Sequence, residues 1–354
     1  MSAQQAPIGL AFTMGDACGI GPEILVKLWA DARPKGLVIG SVGVMCRALT
    51  FVAAVRSGQS LPAVEPLVNP DDWHLLPEGT MGVWEPPNTP ADLLNAPLGK
   101  IDRRAGLAAA AAIRAAVKLA QDGVVGAIVT APLHKEALSL AGESYPGHTE
   151  LLQAEGSPPG QAPAPVRMML MNDQLKTVLV TIHVGLRQAI DQVTFDAVLE
   201  TIQITHRSAL QWGLKQPRIA VAGLNPHAGE GGLFGDEEIR IIGPAIEAAQ
   251  QQGICALGPF APDTVFMRAR HAPDHPGEFD VVIAMYHDQG LIPVKYMGLD
   301  HGVNVTLGLP FVRTSPDHGT AFDLAGTGQA DAASITQAMR MALQLLAGRA
   351  ASGG

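Results

Sequence analysis

Three histidines stand directly after apolar segments that have the character of buried strands. His183 follows TVLVTI, His227 follows RIAVAGLNP and His287 follows DVVIAMY, at intervals of 44 and 60 residues that each contain a helical pattern. Ligands of open α/β sheets bind beyond the carboxyl ends of the strands, so the three imidazoles could converge there. Three protein ligands with open positions are typical of a catalytic metal site. The alternative is that each histidine only hydrogen-bonds its own loop, because most histidines bind no metal.

A glycine-rich loop, GLNPHAGEGGLFG at residues 223–235, surrounds His227. Loops of this composition often bind a phosphate through their backbone N–H groups. Asp236, Glu237 and Glu238 follow at the start of a helix, where they suit the helix dipole but would repel a phosphate. The glycines are therefore interpreted as residues that permit a tight turn beside His227.

The usual dinucleotide fingerprint, GxGxxG, is absent from the sequence. Two other glycine-rich stretches, residues 14–23 and 315–331, are on their own only turn-rich loops. In the first of these, Pro22 and Glu23 suit the first turn of a helix.

Several polar residues could bind a substrate near the histidines. His148 and Thr149 follow a Pro-Gly turn in YPGHTELL, where Thr149 could instead cap the following helix. Lys295, Asn304 and Arg313 follow His287 across two extended segments. Near a metal, the two cations could bind a carboxylate or phosphate, although most lysines and arginines are solvated surface residues.

Short apolar runs alternate with helical patterns along the chain. The predicted strands cover residues 8–14, 37–44, 125–131, 167–171, 177–183, 218–224, 280–286 and 303–309. The predicted helices cover residues 22–32, 102–123, 194–213, 236–253 and 335–348. Most of the strands lack polar alternation, which indicates burial on both faces. The pattern predicts an α/β protein with mixed, mostly parallel sheets, and the proline-rich segment 157–165 is predicted to be a loop.

Composition excludes several classes of protein. A chain of 354 residues exceeds the usual single-domain size, so two domains are expected. The net charge of −9 and the 5% aromatic content exclude a nucleic-acid partner. No apolar run is long enough for a membrane helix, and the N-terminus lacks the pattern of a signal peptide. Three cysteines without a CxxC pair fit a reducing compartment, so a cytoplasmic location is expected.

Five motifs in order resemble the 4-hydroxythreonine-4-phosphate dehydrogenase family of pyridoxal phosphate biosynthesis. They are TAPLHKEAL, YPGHTELL, GLNPHAGEGGLFG, MYHDQGLIPVKY and GVNVTLGLPFVRTSPDHGTAFDLAGTG, and the resemblance spans about residues 8 to 345. More distantly, GIGPE and HGTAFDLAGTG resemble isocitrate and isopropylmalate dehydrogenases, whose loops at similar places bind NAD without GxGxxG. Cys18 in GDACGIGPE and the FAPDT segment at 260–264 depart from the family pattern, and residues 45–100 and 157–165 match poorly.

The resemblance implies a homodimer with its active site near the subunit interface, in a cleft between two lobes. By analogy with the isopropylmalate dehydrogenases, two α/β/α lobes are expected, one formed by residues 1–130 with 300–354 and the other, which carries the histidines, by residues 131–299. The resemblance also implies a divalent metal (Zn, Mg, Co or Mn), which is expected to bind to His183, His227 and His287. Substrate contacts map onto His148, Thr149, Lys295, Asn304 and Arg313. NAD, or alternatively NADP, is expected near Gly319, Thr320, Asp323, Gly326 and Gly328, with help from the GIGPE turn.

The implied reaction oxidises 4-phosphooxy-L-threonine with NAD⁺, after which the β-keto acid loses CO₂ to give 3-amino-2-oxopropyl phosphate. The candidate catalytic residues are Asp263, Asp288 and Lys295. Lys295 is expected, with Arg313, to hold the anionic ends of the substrate, and the two aspartates are the candidate proton acceptors. Either acid could instead only orient a metal-bound histidine. Relatives that oxidise threonate or erythronate 4-phosphate, or a cis-dihydrodiol carboxylate, leave the substrate open. A metal-dependent hydrolase and a non-catalytic metabolite-binding protein are the competing hypotheses.

Overall fold

Strands and helices alternate in the computed structural model, which describes residues 9–145, 147–157, 160, 162–298 and 302–352. The strands are β1 (Leu10–Thr13), β2 (Gly36–Ile39), β3 (Val64–Leu67), β4 (Met81–Trp84), β5 (Ala127–Thr130), β6 (Arg167–Met171), β7 (Lys176–Leu179), β8 (Ile219–Ala222), β9 (Ala256–Phe260), β10 (Val281–Ala284), β11 (Val303–Leu307) and β12 (Val312–Pro316). The helices are α1 (Gly21–Ala32), α2 (Val42–Val55), α3 (Arg103–Gln121), α4 (Lys135–Leu140), α5 (His148–Gly156), α6 (Leu186–Gln192), α7 (Phe195–Gln211), α8 (Gly243–Gln251), α9 (Val265–Ala269), α10 (His287–Tyr296) and α11 (Ala333–Ser352).

The first of two units comprises the described residues of 1–164 and 309–343. Its six strands are all parallel and lie in the order β3-β4-β2-β1-β5-β12. Parallel neighbours require crossover connections, which α1, α2 and α3 provide. Strands β1, β2 and β5 are buried along their whole length, as expected for strands covered on both faces. The turns after β1, β5 and β12 therefore lie at one edge of this sheet.

The second unit comprises the described residues of 165–308 and 344–354. Its strands lie in the order β11-β6-β7-β10-β8-β9. The β11–β6 and β6–β7 pairs are antiparallel, whereas β7, β10, β8 and β9 run parallel to one another. One core of this unit packs Leu179, Ala222, Phe266 and Val282 together. The four parallel strands end at one edge, and a residue predicted to act at the site follows each of them.

The predicted α/β class with mixed, mostly parallel sheets is confirmed. Each of the eight predicted strands and five predicted helices corresponds to an observed element; β6 has the predicted bounds, and the other elements have at least one shifted end. The strand predicted at 37–44 was wrong beyond Ile39, because helix α2 begins at Val42. The described parts of the proline-rich segment, 157, 160 and 162–165, contain neither helix nor strand, whereas residues 158, 159 and 161 lie outside the described chain.

Four strands were not predicted: β3, β4, β9 and β12. Each has four or five residues, and VEPL, ALGPF and VRTSP all contain a proline. Proline removes a backbone donor, so it argues against a strand when only the sequence is read. Hydrogen bonds to a neighbouring strand stabilise these four strands, although their own sequences do not favour a strand.

The borders of the units differ from those expected from the sequence. Residues 131–164 belong to the first unit because α4 and α5 pack against α3. Residues 302–308 belong to the second unit because β11 pairs with β6. The end of α11 also belongs there, since Gly348 lies against the backbone of Trp212. Among the described residues, no helix is both long and apolar enough to cross a membrane.

Candidate active site

Two of the three predicted metal ligands lie side by side at the carboxyl edge of the second unit. His183 follows β7, and His287 is the first residue of α10, just after the neighbouring strand β10. Their ring centroids are 5.5 Å apart. The Thr181 hydroxyl donates to the carbonyl of Met285 at 2.9 Å, which ties the two turns together. A register of neighbouring parallel strands thus brings together imidazoles that are distant in sequence.

A cavity of about 270 Å³ lies beside these two imidazoles. Polar groups come from His183, His287, Asp288 and Tyr286, and the remaining wall is apolar. The apolar part consists of Ile182, Val184, Leu186 and Ala189. A mostly apolar wall with a few convergent polar groups is the usual character of a small-molecule site.

The third predicted ligand, His227, lies in a strained turn after β8. Residues 227–231 all have positive φ, with 54° at His227 and 44° at Glu230, values that non-glycine residues rarely adopt. The His227 side chain is 63% exposed, and its Nδ1 lies 3.9 Å from a carboxylate oxygen of Glu230. Within the described ranges, no group of three His, Cys, Asp or Glu side chains comes close enough together to hold a metal ion. The structure brings His183 and His287 together, and His227 shares their sheet edge without completing a trio.

A buried glutamate anchors the His227 loop. Glu238 accepts the backbone N–H groups of Leu224 at 2.7 Å and Asn225 at 2.8 Å, and also the Asn225 side-chain amide at 3.0 Å. Gln289 then links the ends of two strands, since it donates to the carbonyl of Gly223 and accepts from the N–H of Met285. An acid therefore occupies the first amides of this glycine-rich loop, which supports the prediction that the loop is a turn rather than a phosphate site.

The two candidate proton acceptors differ in their surroundings. The Asp288 carboxylate lies 2.7 Å from Nδ1 of His287, although the Asp288 side chain is 74% exposed. Asp263 is exposed in the turn between β9 and α9. A carboxylate on the second ring nitrogen of a histidine fixes the tautomer and orientation of the ring. Asp288 is thus placed to orient His287.

The predicted substrate residues lie in both units. Lys295 on α10 and Asn304 on β11 are half-buried in the second unit. Arg313 on β12 is buried in the first unit and donates to the Thr130 hydroxyl at 2.6 Å. Burial lowers the pKa of Arg313 to about 10, so the guanidinium stays cationic at neutral pH.

His148 begins helix α5 in the first unit, and Gly147 occupies the cap position. Thr149 is therefore inside the helix, and the alternative that it caps the helix was wrong. Burial, with the cations of Arg313 and Lys135 nearby, holds the pKa of His148 well below its ordinary value. Its Nε2 is buried and has no hydrogen-bond partner among the described residues. A neutral imidazole with an unused nitrogen beside two cations suits an anionic substrate group.

The first turn of the first unit carries a buried acid that sequence reasoning missed. Asp16 follows β1, and one of its carboxylate oxygens accepts the N–H of Cys18 at 2.8 Å. The other oxygen is buried without a hydrogen-bond partner among the described residues. Burial raises the pKa of Asp16 to about 6, against the opposing effect of the Cys18 hydrogen bond. Burial also raises the pKa of Cys18 to about 12, so this residue is an uncharged part of the core.

The predicted cofactor loop meets this turn at the same sheet edge. The N–H of Ile20 donates to the carbonyl of Thr320 at 3.0 Å. The ring of Phe322 stacks on His134, which follows β5, with centroids 5.0 Å apart and planes 11° apart. Nδ1 of His134 is buried and, within the described residues, has no hydrogen-bond partner. Unsatisfied buried groups beside a glycine-rich loop at the carboxyl ends of parallel strands fit the binding of a nucleotide.

Two of the predicted cofactor glycines are already engaged. The N–H groups of Gly326 and Gly328 donate to the two carboxylate oxygens of Glu23 on α1. These amides are therefore not available to a phosphate. Gly319, Thr320 and Asp323 carry no such contact with Glu23, and a side chain at Gly319 would meet open space. The candidate nucleotide contacts are thereby confined to the first half of the loop.

Comparison with known proteins gives the family. The family model described as pyridoxal phosphate biosynthetic protein PdxA matches residues 35–342. The chain belongs to this family. A 4-hydroxythreonine-4-phosphate dehydrogenase from Beijerinckia indica is 50% identical over 339 residues, which cover 95% of this chain and 94% of the relative. The chain is thus an oxidoreductase of the dehydrogenase type.

One further relative and one solved structure are also similar to this PdxA-family chain over nearly its whole length. A D-threonate 4-phosphate dehydrogenase from Pectobacterium atrosepticum is 43% identical over 341 residues, covering 95% of this chain and 98% of the relative. The crystal structure of a 4-hydroxythreonine-4-phosphate dehydrogenase from Klebsiella pneumoniae matches with a TM-score of 0.84 and 40% identity, covering 96% of this chain and 99% of that one. The family resemblance stated from the motifs is confirmed.

Several residues at or near the sheet edges that carry the candidate site of this PdxA-family chain were not predicted as site residues. They are Asp16, Lys27, His134, Gln289 and Phe322. One sequence signal was present, since Glu23 and Lys27 are charged residues four apart on a mostly apolar helix. For the others, the sequence offers no local signal, because their partners lie on other strands.

Proposed function

We propose that the chain catalyses the NAD-dependent, divalent-metal-dependent oxidation of 4-phosphooxy-L-threonine, with decarboxylation to 3-amino-2-oxopropyl phosphate. The observation that carries the proposal is the pairing of His183 with His287 at the ends of neighbouring parallel strands, in a chain of the PdxA family. The names of relatives supply the substrate class, and the site supplies groups that suit it. The reaction would serve pyridoxine 5′-phosphate biosynthesis in the cytoplasm.

His183 and His287 would hold the divalent metal, with His227 as the third ligand. The donor chemistry fits, because neutral imidazoles suit Zn²⁺ or Co²⁺, and Mg²⁺ or Mn²⁺ if substrate oxygens complete the shell. When bound, the cation would supply Lewis acidity at the substrate oxygens, which suits both the oxidation and the decarboxylation. The His227 side chain is 63% exposed, and its Nδ1 contact with Glu230 is long at 3.9 Å, so a change of rotamer would break no close hydrogen bond.

The remaining residues bind the substrate and move its proton. The ammonium group of Lys295 and the guanidinium of Arg313 would hold the anionic ends of the substrate. His148, Thr149 and Asn304 would complete its hydrogen bonds. The contact between Asp288 and His287 supports an orienting role for Asp288, so Asp263 is the proposed acceptor of the hydroxyl proton.

The oxidised cofactor, NAD⁺ or NADP⁺, would bind at the turn after β1 and at Gly319, Thr320 and Asp323. These residues would hold the dinucleotide, which would supply the hydride acceptor for oxidation of the substrate hydroxyl. Asp16 and His134 offer unsatisfied polar atoms at this edge, which supports the placement. The stacking of Phe322 on His134 would hold the loop in position.

A homodimer is proposed for the assembly. Large apolar side chains are exposed on the two helices that contribute residues to the cavity beside His183: Leu186 on α6, and Ile292 and Tyr296 on α10. Exposed apolar groups next to a ligand site are typical of an interface. No nucleic-acid or membrane partner is proposed, because the net charge is −9.

A second substrate has a specific observation in its favour. The 43% identity to a D-threonate 4-phosphate dehydrogenase is close to the 45% identity to a 4-hydroxythreonine-4-phosphate dehydrogenase from Geobacter metallireducens, although the relative from Beijerinckia indica reaches 50%. The two acids share a phosphorylated four-carbon frame with a hydroxyl to be oxidised. Identity alone therefore does not separate the substrates, and erythronate 4-phosphate belongs in the same panel.

The test is NADH formation by the purified protein. We expect 4-phosphooxy-L-threonine with NAD⁺ and Mg²⁺, Zn²⁺ or Co²⁺ to raise the absorbance of reduced nicotinamide, and a chelator to abolish the increase. A higher kcat/KM with D-threonate 4-phosphate would select the second substrate. If no acid in the panel reduces NAD⁺ or NADP⁺, the proposed function is wrong, and phosphate release without a nucleotide would identify a hydrolase.

A further inference from the structure

Two buried charges on helix α1 are bonded to the predicted cofactor loop. Glu23 is 2% exposed and Lys27 is 7% exposed, one helical turn apart. Glu23 accepts the N–H of Gly326 at 2.5 Å and that of Gly328 at 2.7 Å. Lys27 donates to the carbonyl of Ala330 at 2.6 Å. Both charges therefore find backbone partners in one segment, about 300 residues away along the chain.

Burial of the Glu23 carboxylate and the Lys27 ammonium is unfavourable unless both groups find hydrogen-bond partners. Burial raises the pKa of Glu23 and lowers the pKa of Lys27, which shows the cost of desolvating each charged form. Well-packed apolar residues often stabilise a fold as well as a buried ion pair does, or better. A general need for stability thus does not explain charges at these two positions, and a need for a fixed loop geometry does.

The conformation of the 319–330 loop is unusual and depends on contacts with other segments of the chain. Gly326 and Gly328 have φ of 84° and 69°, and Ala321 has φ of 40°. A side chain at Gly328 would lie 2.3 Å from the carbonyl oxygen of Phe51, so the loop passes very close to another backbone. Neither a strand nor a helix lies between Pro316 and Ala333 in this described segment. Turn hydrogen bonds from Leu324 to Ala321 and from Thr327 to Leu324 shape its middle. Contacts to α1 hold the residues on either side of that turn.

The anchors enclose the part of the loop that is left for a ligand. The N–H of Ile20, at the start of α1, holds the carbonyl of Thr320, and Glu23 holds Gly326 and Gly328. Residues 321–325 lie between these points and include Phe322, which stacks on His134. The first two turns of α1 thus determine where the loop presents its groups.

We propose that Glu23 and Lys27 are positioning residues for the nicotinamide cofactor, which act by holding the 319–330 loop in its binding conformation. The inference rests on the proposed function, because it assigns the loop to the cofactor. It predicts that loss of either charge weakens binding of the dinucleotide, since the loop must then be ordered by the ligand itself. It also predicts that affinity for the divalent metal is unaffected, because the histidines belong to other segments.

The experiment compares wild type, Glu23→Gln, Lys27→Met and the control Asp31→Asn. Asp31 lies on the same helix, and its change removes the same charge from an exposed ion pair with Arg56. Calorimetric titration with NAD⁺ and with Mn²⁺, and hydrogen exchange at the Gly326 and Gly328 amides, are measured on the full chain. We expect Glu23→Gln to raise the Kd for NAD⁺ about 10-fold or more, and Lys27→Met about 3-fold. Faster exchange at both amides and an increased KM for NAD⁺, with little change in kcat, should accompany the loss.

The outcomes separate this inference from the proposed function. If wild type binds no NAD⁺ or NADP⁺, the proposed function is wrong and the inference falls with it. If wild type binds NAD⁺ and the folded Glu23→Gln protein binds it within 2-fold of Asp31→Asn, only the inference is wrong. A parallel loss of Mn²⁺ affinity would show a general folding role and would also overturn it. Should Glu23→Gln fail to fold, Lys27→Met decides, and an unchanged Kd for NAD⁺ in that variant refutes the inference.

Discussion

Two glycine-rich loops of this chain are anchored in the same way but from different distances in sequence. In the second unit, Glu238 accepts the N–H groups of Leu224 and Asn225, at the start of the loop that carries His227. In the first unit, Glu23 accepts the N–H groups of Gly326 and Gly328, at the end of the 319–330 loop. In both loops one buried carboxylate satisfies two backbone donors, which fixes the turn and excludes a phosphate from those amides.

The difference lies in where each acid comes from. Glu238 lies 14 residues after Leu224 and 13 after Asn225. The acidic residues that directly follow the loop in the sequence therefore indicate the anchor. Glu23 is separated from Gly326 by 303 residues and reaches it only because α1 and the loop after β12 meet at one sheet edge. A local anchor can be recognised in a sequence, whereas a distant anchor appears only when the strand order is known.

The largest expected effect is on metal binding at the loop that carries His227. His227→Ala should lower the affinity for Mn²⁺ or Zn²⁺ about 100-fold or more, because one of three ligands is lost. The protein should remain folded, since the side chain is 63% exposed. Affinity for NAD⁺ should not change, because the cofactor loop is another segment.

Metal content after dialysis and calorimetric titration measure the effect of His227→Ala. The control is His275→Ala, which removes an exposed histidine of the same unit. Equal metal affinity in His227→Ala and His275→Ala would remove His227 from the site.

Removal of the local anchor should have an intermediate effect. Glu238→Ala leaves two half-buried backbone donors without their acceptor, so we expect a loss of about 1–3 kcal/mol in the free energy of unfolding. We also expect a metal affinity about 10-fold lower, because the turn beside His227 is released. Urea unfolding and metal titration are the measurements.

The control for Glu238→Ala is Glu237→Ala. Within the described part of the chain, the Glu237 carboxylate accepts only the side-chain amide of Asn225, at 2.6 Å. A loss of stability in Glu237→Ala as large as that in Glu238→Ala would show that the backbone bonds of Glu238 are not the anchor.

The last expected effect is on stability alone and concerns the buried acid near the cofactor loop. The folded-state pKa of Asp16 is raised to about 6, above an unfolded value of about 3.9. Its contribution to stability is thus fully present below about pH 4 and is lost as the pH rises through about 6. Asp16→Asn avoids this loss, so the variant should be more stable than wild type by about 1–3 kcal/mol at pH 7.5 and by much less at pH 4.

Urea unfolding of both proteins at pH 4, 5.5 and 7.5 checks the prediction for Asp16. The difference between variant and wild type isolates this carboxyl from other titrating groups. A difference that is independent of pH would contradict the raised pKa. A gain in stability with a loss of NAD⁺ affinity would mark Asp16 as a residue kept for function.

The sequence allowed the α/β class and the longer elements to be predicted, because buried parallel strands are continuous apolar runs. It also placed His183, His227 and His287 after strands, where the parallel register indeed puts them at one edge. The proline-containing strands and the position of residues 131–164 were not predictable in this way, since they depend on pairing and packing with distant segments. For the same reason Glu23 was interpreted only as a helix-start residue, and its bonds to Gly326 and Gly328 were missed.

The comparison of the two anchors is tested most directly by a crossed titration. Wild type, Glu23→Gln and Glu238→Gln are each titrated with NAD⁺ and with Mn²⁺. The account predicts that Glu23→Gln loses affinity for NAD⁺ alone and that Glu238→Gln loses affinity for Mn²⁺ alone, each by about 10-fold. The central claim is that each loop serves a different ligand. Equal losses of both ligands in either variant, or the reverse assignment, would contradict that claim.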